Sequence, residues 1–325
     1  MTEHIDSMYD VLIVGGGAAG LSAALMLGRT RRSVAVVDNG EPRNAPAHGV
    51  HGFLSRDGIS PAELLATSRD QARHYGADLV QGSVVAAGGT LQDGFEVTLD
   101  DGRRLRGRRL LITTGLVDEL PDVPGLRERW GRDVLHCPFC HGWEVRDQAI
   151  GVLGTGPWSV HQSLLFRQWS SNITLFLNGT VVPVESELEQ LAARGVKVVH
   201  GAVETVRVQD DALKAVVLAG GPEVAVDAVV VGTRVHARLD AFAGLGLAPS
   251  PHPMGIGDYL ETDAEGATSV PGVWAAGNVT DMRAQVLASA AAASWTAVII
   301  NNSLMAEELE RDLAAYRKTP AVTGA

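Results

Sequence analysis

Cysteine is almost absent: 325 residues hold two, Cys137 and Cys140. That count excludes a disulfide framework and a four-thiolate zinc site. Basic residues are in deficit, with 27 Lys and Arg against 38 Asp and Glu, a net charge of −11 and no basic block. The balance argues against nucleic acid or an anionic membrane as partner. No long hydrophobic run occurs either. The longest apolar stretch near the end, Val286 to Ile300, is interrupted by Ser and Thr and is too short to span a bilayer. Residues 1–8 are polar and carry no signal-peptide pattern, so the expected compartment is the cytoplasm. Repeats and low-complexity blocks are missing, which excludes a solenoid. What remains is an ordinary globular composition, 46% hydrophobic and 20% charged, at a length that suggests about two domains.

The two cysteines sit together in His136-Cys137-Pro138-Phe139-Cys140-His141-Gly142. Two intervening residues let the thiols face each other across one turn. Such a ring closes almost no loop and is a poor staple. It is a good redox device, because a neighbour can stabilise one thiolate and the pair can exchange electrons with another dithiol. Cys137 and Cys140 are therefore candidate catalytic residues. His141 directly follows the second cysteine, and an imidazole titrating near neutrality can move a proton to or from a thiol. His136 is a further candidate with an equally good structural reading. Zinc would need two more soft ligands and no other cysteine exists; histidines could in principle supply them, but no metal site is expected. Two buried, inert thiols are the other bland alternative.

Tyr9-Asp10-Val11-Leu12-Ile13-Val14 reads as a buried strand. Gly15-Gly16-Gly17-Ala18-Ala19-Gly20, a helix from Leu21 to Leu27, and a strand from Val34 to Val37 ending in Asp38 follow. Strand, G-x-G-x-x-G, helix, strand and acid form a dinucleotide fingerprint in its required context. Gly15 allows the tight turn, Gly17 lets the backbone approach a pyrophosphate, Gly20 lets helix and strand pack closely, and Asp38 can accept from a ribose. A long loop over 41–60 leads to a helix from Pro61 to about Tyr75, with Ser60 as N-cap. Strands are expected over 79–85, 95–99 and 103–106, with Asp100-Asp101-Gly102 as a hairpin turn. A buried strand from Arg109 ends in Thr113-Thr114-Gly115.

Beyond the cysteines the pattern restarts. Ile150 to Leu153 is a strand, Gly154-Thr155-Gly156-Pro157-Trp158-Ser159 a second glycine turn, Val160 to Trp169 a helix, and Ile173 to Leu177 a strand. This strand ends in Leu177-Asn178-Gly179, with neither an acid for a ribose nor an arginine for a 2′-phosphate. A meander over 203–226 and a strand over 228–232 close the unit. In the last third, a strand runs into Ala276-Gly277-Asn278, followed by helices over 284–300 and 306–316. The fold class is α/β: two Rossmann-like, three-layer ββα nucleotide-binding domains, the second inserted in the first. The expected boundaries are 1–117 and 244–325 for the outer domain and 118–243 for the insert.

In combination these segments resemble the low-molecular-weight thioredoxin reductase family of FAD-dependent disulfide reductases. The likeness rests on Gly15–Gly20 with Asp38, Thr114-Gly115, the Cys137/Cys140 pair, and the run from Ser269 to Asn278 with Ala284-Gln285-Val286. It implies FAD in the outer domain, held by Gly15, Gly17, Ala19, Gly20, Asp38, Asn44, Val85, Thr114, Gly115, Gly277, Asn278, Gln285 and Val286. By the same analogy Cys140 lies nearer the flavin and Cys137 meets substrate. Three positions depart from the family: His141 replaces an Asp, Leu177-Asn178-Gly179 replaces the His-Arg-Arg that grips an NADPH 2′-phosphate, and Gly277-Asn278 replaces Gly-Asp. The Cys-Pro-Phe-Cys-His-Gly string and the lost phosphate grip look like the dithiol oxidases of the gliotoxin and holomycin pathways. That likeness implies an FAD-dependent oxidase closing a disulfide in a small-molecule dithiol, with oxygen as acceptor and peroxide released. NADPH is a doubtful second cofactor. The alternatives are an NADPH-dependent thioredoxin reductase, with a small redox protein as partner, and a non-catalytic flavin sensor. A homodimer is the expected assembly.

Overall fold

The computed structural model describes residues 8–318; the polar start and the extreme tail lie outside them. The chain divides into two compact units. One takes the chain up to Pro42, Leu64–Val117 and everything from His236 onward; the other takes Arg43–Glu63 and Asp118–Val235.

The outer unit is built on a sheet ordered Ala77–Gln81, Val34–Asp38, Tyr9–Val14, Arg104–Ile112, Gly94–Leu99, Val84–Thr90, with Val273–Ala275 also pairing with Arg104–Ile112. Valine, leucine and isoleucine fill both faces of the central strands, as a parallel sheet covered on both sides requires. Val14 sits between Val37 and Ile112 in parallel register, and Ile112 also pairs with Ala275. These strand ends therefore finish side by side. The strands expected over 103–106 and from Arg109 are one nine-residue strand. Its first half pairs antiparallel with Gly94–Leu99, and its second half pairs parallel with Tyr9–Val14. The strand expected over 79–85 is instead split at Gly82, whose φ of 154° breaks the run. Ser60 does cap the helix Pro61–His74, its hydroxyl accepting from the Glu63 N–H at 3.2 Å.

The two C-terminal helices expected from sequence are one helix, Val286–Lys318. Asn301, Asn302 and Ser303 look like a break but do not act as one. Asn301 accepts from the Arg32 Nε at 2.9 Å, Ser303 accepts from the Arg109 Nε at 3.1 Å, and Leu304 is fully buried. With Asn301 and Ser303 engaged by arginines of other elements and no Gly or Pro present, these two side chains do not compete with the helical backbone. The outer unit also resumes at His236 rather than at 244. Leu239, and Phe242 in the short 3₁₀ turn Asp240–Leu245 that follows it, pack into its core beside Phe95 and Val97.

The central unit repeats the plan. Its parallel sheet runs Lys197–Val199, Ile173–Phe176, Ile150–Leu153, Ala228–Val231, Val134–Leu135. An antiparallel meander of Val203–Gln209, Ala212–Leu218 and Glu223–Ala225 covers it. The helix Trp158–Phe166 packs on the opposite side with Phe166 fully buried. The segment 43–63, expected to belong to the outer domain, groups here instead. Arg43 forms a paired ion contact with Asp118, both nitrogens at 2.6 Å from carboxylate oxygens.

Candidate functional site

In the outer unit the expected cofactor residues gather where the parallel strands end, which is where ligands bind in open α/β sheets. Gly15 leaves the first strand at φ 110°, and a Cβ there would collide with the Thr113 carbonyl. A Cβ at Gly20 would overlap the Gly15 carbonyl. Gly17 is the N-cap of the helix Ala18–Arg29, has no side-chain cap, and faces open space. That helix end offers free N–H groups to an anion. Asp38 accepts from the Gly16 N–H at 3.0 Å and pairs with Arg69 at 3.2 Å. Ala19 is buried rather than open, 2.9 Å from where a Gly277 Cβ would stand.

Thr113, not singled out from sequence, locks this turn. Its hydroxyl bridges the Val14 and Gly15 carbonyls at 3.0 and 2.8 Å. The next residue, Thr114, donates to the Arg238 carbonyl at 2.8 Å, and Gly115 turns at φ 69°. Gly277 turns at φ 87°, and the Asn278 amide donates to the Asp281 and Ala284 carbonyls at 3.1 and 2.7 Å. Asn278 thereby shapes the approach to Gln285 and to Val286, the first residue of the long helix. Two expected residues are not brought here by their own unit. Val85 lies exposed on the edge strand Val84–Thr90, and Asn44 belongs to the segment of the central unit. The glycine cradle, the uncapped helix end and the acid at the second strand fit FAD.

In the central unit, Cys137 and Cys140 are joined as a disulfide across the one-turn helix Pro138–His141. Cys137 is extended and caps the turn, and Pro138 fills the first helical position, where no N–H is needed. The Cys137 carbonyl accepts from the Cys140 and His141 N–H groups at 3.3 and 3.2 Å. Gly142 is required by space, since a Cβ would run into Trp169 and the Pro138 carbonyl. Phe139, between the cysteines, meets Trp169 edge-on at 5.9 Å.

The two histidines differ. The His136 Nδ1 lies 3.1 Å from the Val231 carbonyl, which can only accept, so this nitrogen carries the proton. The His136 carbonyl in turn accepts from Gln162 at 3.1 Å. His136 is thus held as part of the frame, and burial keeps its pKa below 6.5. Both His141 ring nitrogens are buried with no hydrogen-bond partner among the described residues. Burial lowers its pKa below 6.5 against the opposing pull of Glu144, so the ring is neutral at neutral pH. Close by, burial pushes the Asp118 carboxyl up. Arg43 and a Thr233 hydroxyl at 3.0 Å outweigh that and hold it below its ordinary value. Sequence reading missed this pair, because Arg43 and Asp118 lie 75 residues apart.

The second glycine turn is tied to its own helix and strand end. The Thr155 N–H, which would face a pyrophosphate, donates to the Ser159 hydroxyl at 3.1 Å. Leu177 is buried, and Asn178 sits at φ 53°. The Asn178 side chain donates to the Gly154 carbonyl at 3.3 Å and accepts from the Val203 N–H at 2.8 Å. Thr180 adds a second donor to Gly154 at 2.7 Å. The strand end that would grip a 2′-phosphate is folded back on its own turn. Among the described residues, no cluster of His, Cys, Asp and Glu could hold a metal, and no helix is long and apolar enough to cross a membrane.

The family described as pyridine nucleotide-disulphide oxidoreductase matches residues 9–297. The thioredoxin reductase sirT of Leptosphaeria maculans is 31% identical over 96% of this chain and 98% of its own length. The thioredoxin reductase tcpT of Claviceps purpurea is 33% identical over 84% of this chain and 87% of its own. Among solved structures, the crystal structure of HlmI is 44% identical with a TM-score of 0.91, covering 99% of this chain and 100% of that one. An oxidoreductase from Agrobacterium tumefaciens is 37% identical with a TM-score of 0.86, covering 92% and 99%.

Proposed function

The chain belongs to the pyridine nucleotide-disulphide oxidoreductase family and is an FAD-dependent oxidoreductase; on that premise we propose that it oxidises a small-molecule dithiol, of natural-product type, to a disulfide through Cys137 and Cys140. Bound FAD supplies the two-electron acceptor for the reduced cysteine pair and a route onward, which we assign to oxygen with release of peroxide. Gly15, Gly17, Gly20, Asp38, Thr114, Gly115, Gly277 and Asn278 would hold it.

One substrate thiol gives its proton to His141 and attacks the Cys137 sulfur. The Cys137–Cys140 bond breaks, Cys140 leaves as thiolate, and a mixed disulfide joins substrate to Cys137. The second substrate thiol then attacks the substrate sulfur of that bond and expels Cys137, whose sulfur takes up the proton released. Substrate leaves as a disulfide, and its two electrons stay on the cysteine pair. A neutral imidazole with both nitrogens uncommitted is suited to take the first proton. His136, donating to the Val231 carbonyl, orients the segment.

The observation that carries the oxidising direction is the closed strand end at Leu177-Asn178-Gly179. A 2′-phosphate is held by charge-assisted arginine contacts, and this end offers no charge and no unspent amide. A second reading, an NADPH-dependent thioredoxin reductase, is favoured by the names of the relatives and by Gly156, which keeps open space over the turn. Anaerobic stopped-flow mixing separates the two. A small dithiol is expected to bleach the flavin quickly, and NADPH or NADH slowly or not at all; admitted oxygen restores the colour with peroxide. Rapid bleaching by micromolar NADPH would replace the oxidase with the reductase. We assign the protein to the cytoplasm as a homodimer, the assembly being open to sedimentation.

A further inference from the structure

Arg238 is an arginine without an anion. Its backbone is fixed against the strand end that carries Thr114 and Gly115: its carbonyl accepts from the Thr114 hydroxyl at 2.8 Å, and its N–H donates to the Gly115 carbonyl at 3.3 Å. Among the described residues, its Nε is buried with no hydrogen-bond partner and its guanidinium forms no ion pair. The carboxylate held by the two residues before it is already spent. Asp258 accepts from the Ala237 N–H at 2.8 Å and lies 2.6 Å from the His236 Nδ1. An arginine cannot escape by losing its proton, and a buried, unpaired donor costs free energy unless a ligand satisfies it.

We infer that Arg238 is a binding residue of the flavin site, its guanidinium taking an electron-rich oxygen of the bound dinucleotide beside the Thr114-Gly115 turn. The inference rests on FAD being the cofactor. It explains why a long cation is anchored by both backbone groups to the strand end that Thr113 ties to the Gly15 turn. The oxygen belongs either to the pyrophosphate or to a carbonyl of the isoalloxazine ring. The two share one recognition chemistry and differ in what they report.

The test compares wild type with Arg238→Met, which keeps the stem and removes the charge, and Arg238→Lys, which keeps the charge. FAD affinity of each deflavinated protein is measured by titration, ADP is titrated as a probe of the dinucleotide half, and the midpoint potential of each reconstituted protein is recorded. The expected result is FAD binding at least 30-fold weaker in Arg238→Met, with most of the loss recovered in Arg238→Lys. If ADP affinity falls in step and the potential holds, the pyrophosphate is the partner. If ADP affinity holds and the potential drops, the ring carbonyl is. FAD affinity within threefold of wild type, with the potential unmoved, overturns the inference. An Arg238→Lys protein that folds normally but binds FAD no better than Arg238→Met overturns it too. A wild-type protein that takes up no FAD would sink the cofactor reading instead.

Discussion

The commitment of Asn178 to the fold, on which the proposed direction of electron flow rests, can be measured as stability. Its carboxamide oxygen accepts from the Val203 N–H at 2.8 Å, and its nitrogen donates to the Gly154 carbonyl at 3.3 Å. Its backbone sits at φ 53°, which asparagine and glycine tolerate and a Cβ-branched or aliphatic residue resists. Asn178→Gly keeps the backbone and removes both hydrogen bonds. The longer Gly154 bond is weak, so the cost is that of an unpaired N–H on the buried Val203, about 1–3 kcal/mol. Asn178→Ala adds a left-handed penalty of about 1 kcal/mol, for a total of roughly 2–4 kcal/mol. A loss of 2 kcal/mol lowers the melting midpoint of a domain in this size range by roughly 4–12 °C. The assay is thermal unfolding followed by far-ultraviolet circular dichroism, with the flavin-bound protein of each variant. The expected order is wild type, then Asn178→Gly, then Asn178→Ala. Should Asn178→Ala melt with the wild type, the side chain is not committed to the fold, and the closed strand end no longer argues against a 2′-phosphate.

Three further outcomes rest on the sites. His141→Ala is expected to slow dithiol turnover by roughly 10²–10⁴-fold. Because burial depresses the His141 pKa, the acid limb of wild-type kcat/KM lies below pH 6.5: activity is full above that value and falls as pH drops through the folded-state pKa, and a limb above it contradicts the assignment. Gly20→Ala forces a Cβ onto the Gly15 carbonyl, so the variant is expected to purify without flavin and resist reconstitution; tight FAD uptake by that variant would remove the glycine turn from the site.

The parts of this architecture that sequence discloses are those written locally. Val11 to Val14, three spaced glycines, a helix and Asp38 fall within 30 residues, and the physics of the turn needs each of them at its place. The cysteine turn is as compact. What stays hidden depends on contacts between distant residues. Arg43 lies in a loop rich in Gly, Pro and His, and only Asp118, 75 residues on, gives it a role. The break read at Asn301 to Ser303 is sound by propensity, but Arg32 and Arg109 engage those side chains from 269 and 194 residues away. Tertiary partners override a weak local preference. His141 and His136 are symmetric about the cysteines in sequence, and only the Val231 carbonyl separates a framework ring from an uncommitted one.

The two glycine turns differ in where their polar groups point, and that difference bears on what each unit does. At the first, Gly17 opens the helix end and the acid at the strand end keeps one oxygen on Gly16 and the other on Arg69, so the cradle is shaped but not filled. At the second, the Thr155 N–H is spent on Ser159, and Asn178 and Thr180 both donate to the Gly154 carbonyl. The elements around that turn also hold the cysteine segment. Gln162, on the helix after the turn, donates to the His136 carbonyl; Val231, at the end of the neighbouring strand, accepts from the His136 ring; Trp169, just past the helix, fills the space that only Gly142 leaves. On the proposed reading, a nucleotide fold whose strand end and helix grip a redox turn holds Cys137, Cys140 and His141 in fixed relation. Preorganised positioning of this kind is what a thiol exchange asks of its scaffold, since the proposed proton transfer to His141 depends on geometry before it depends on pKa.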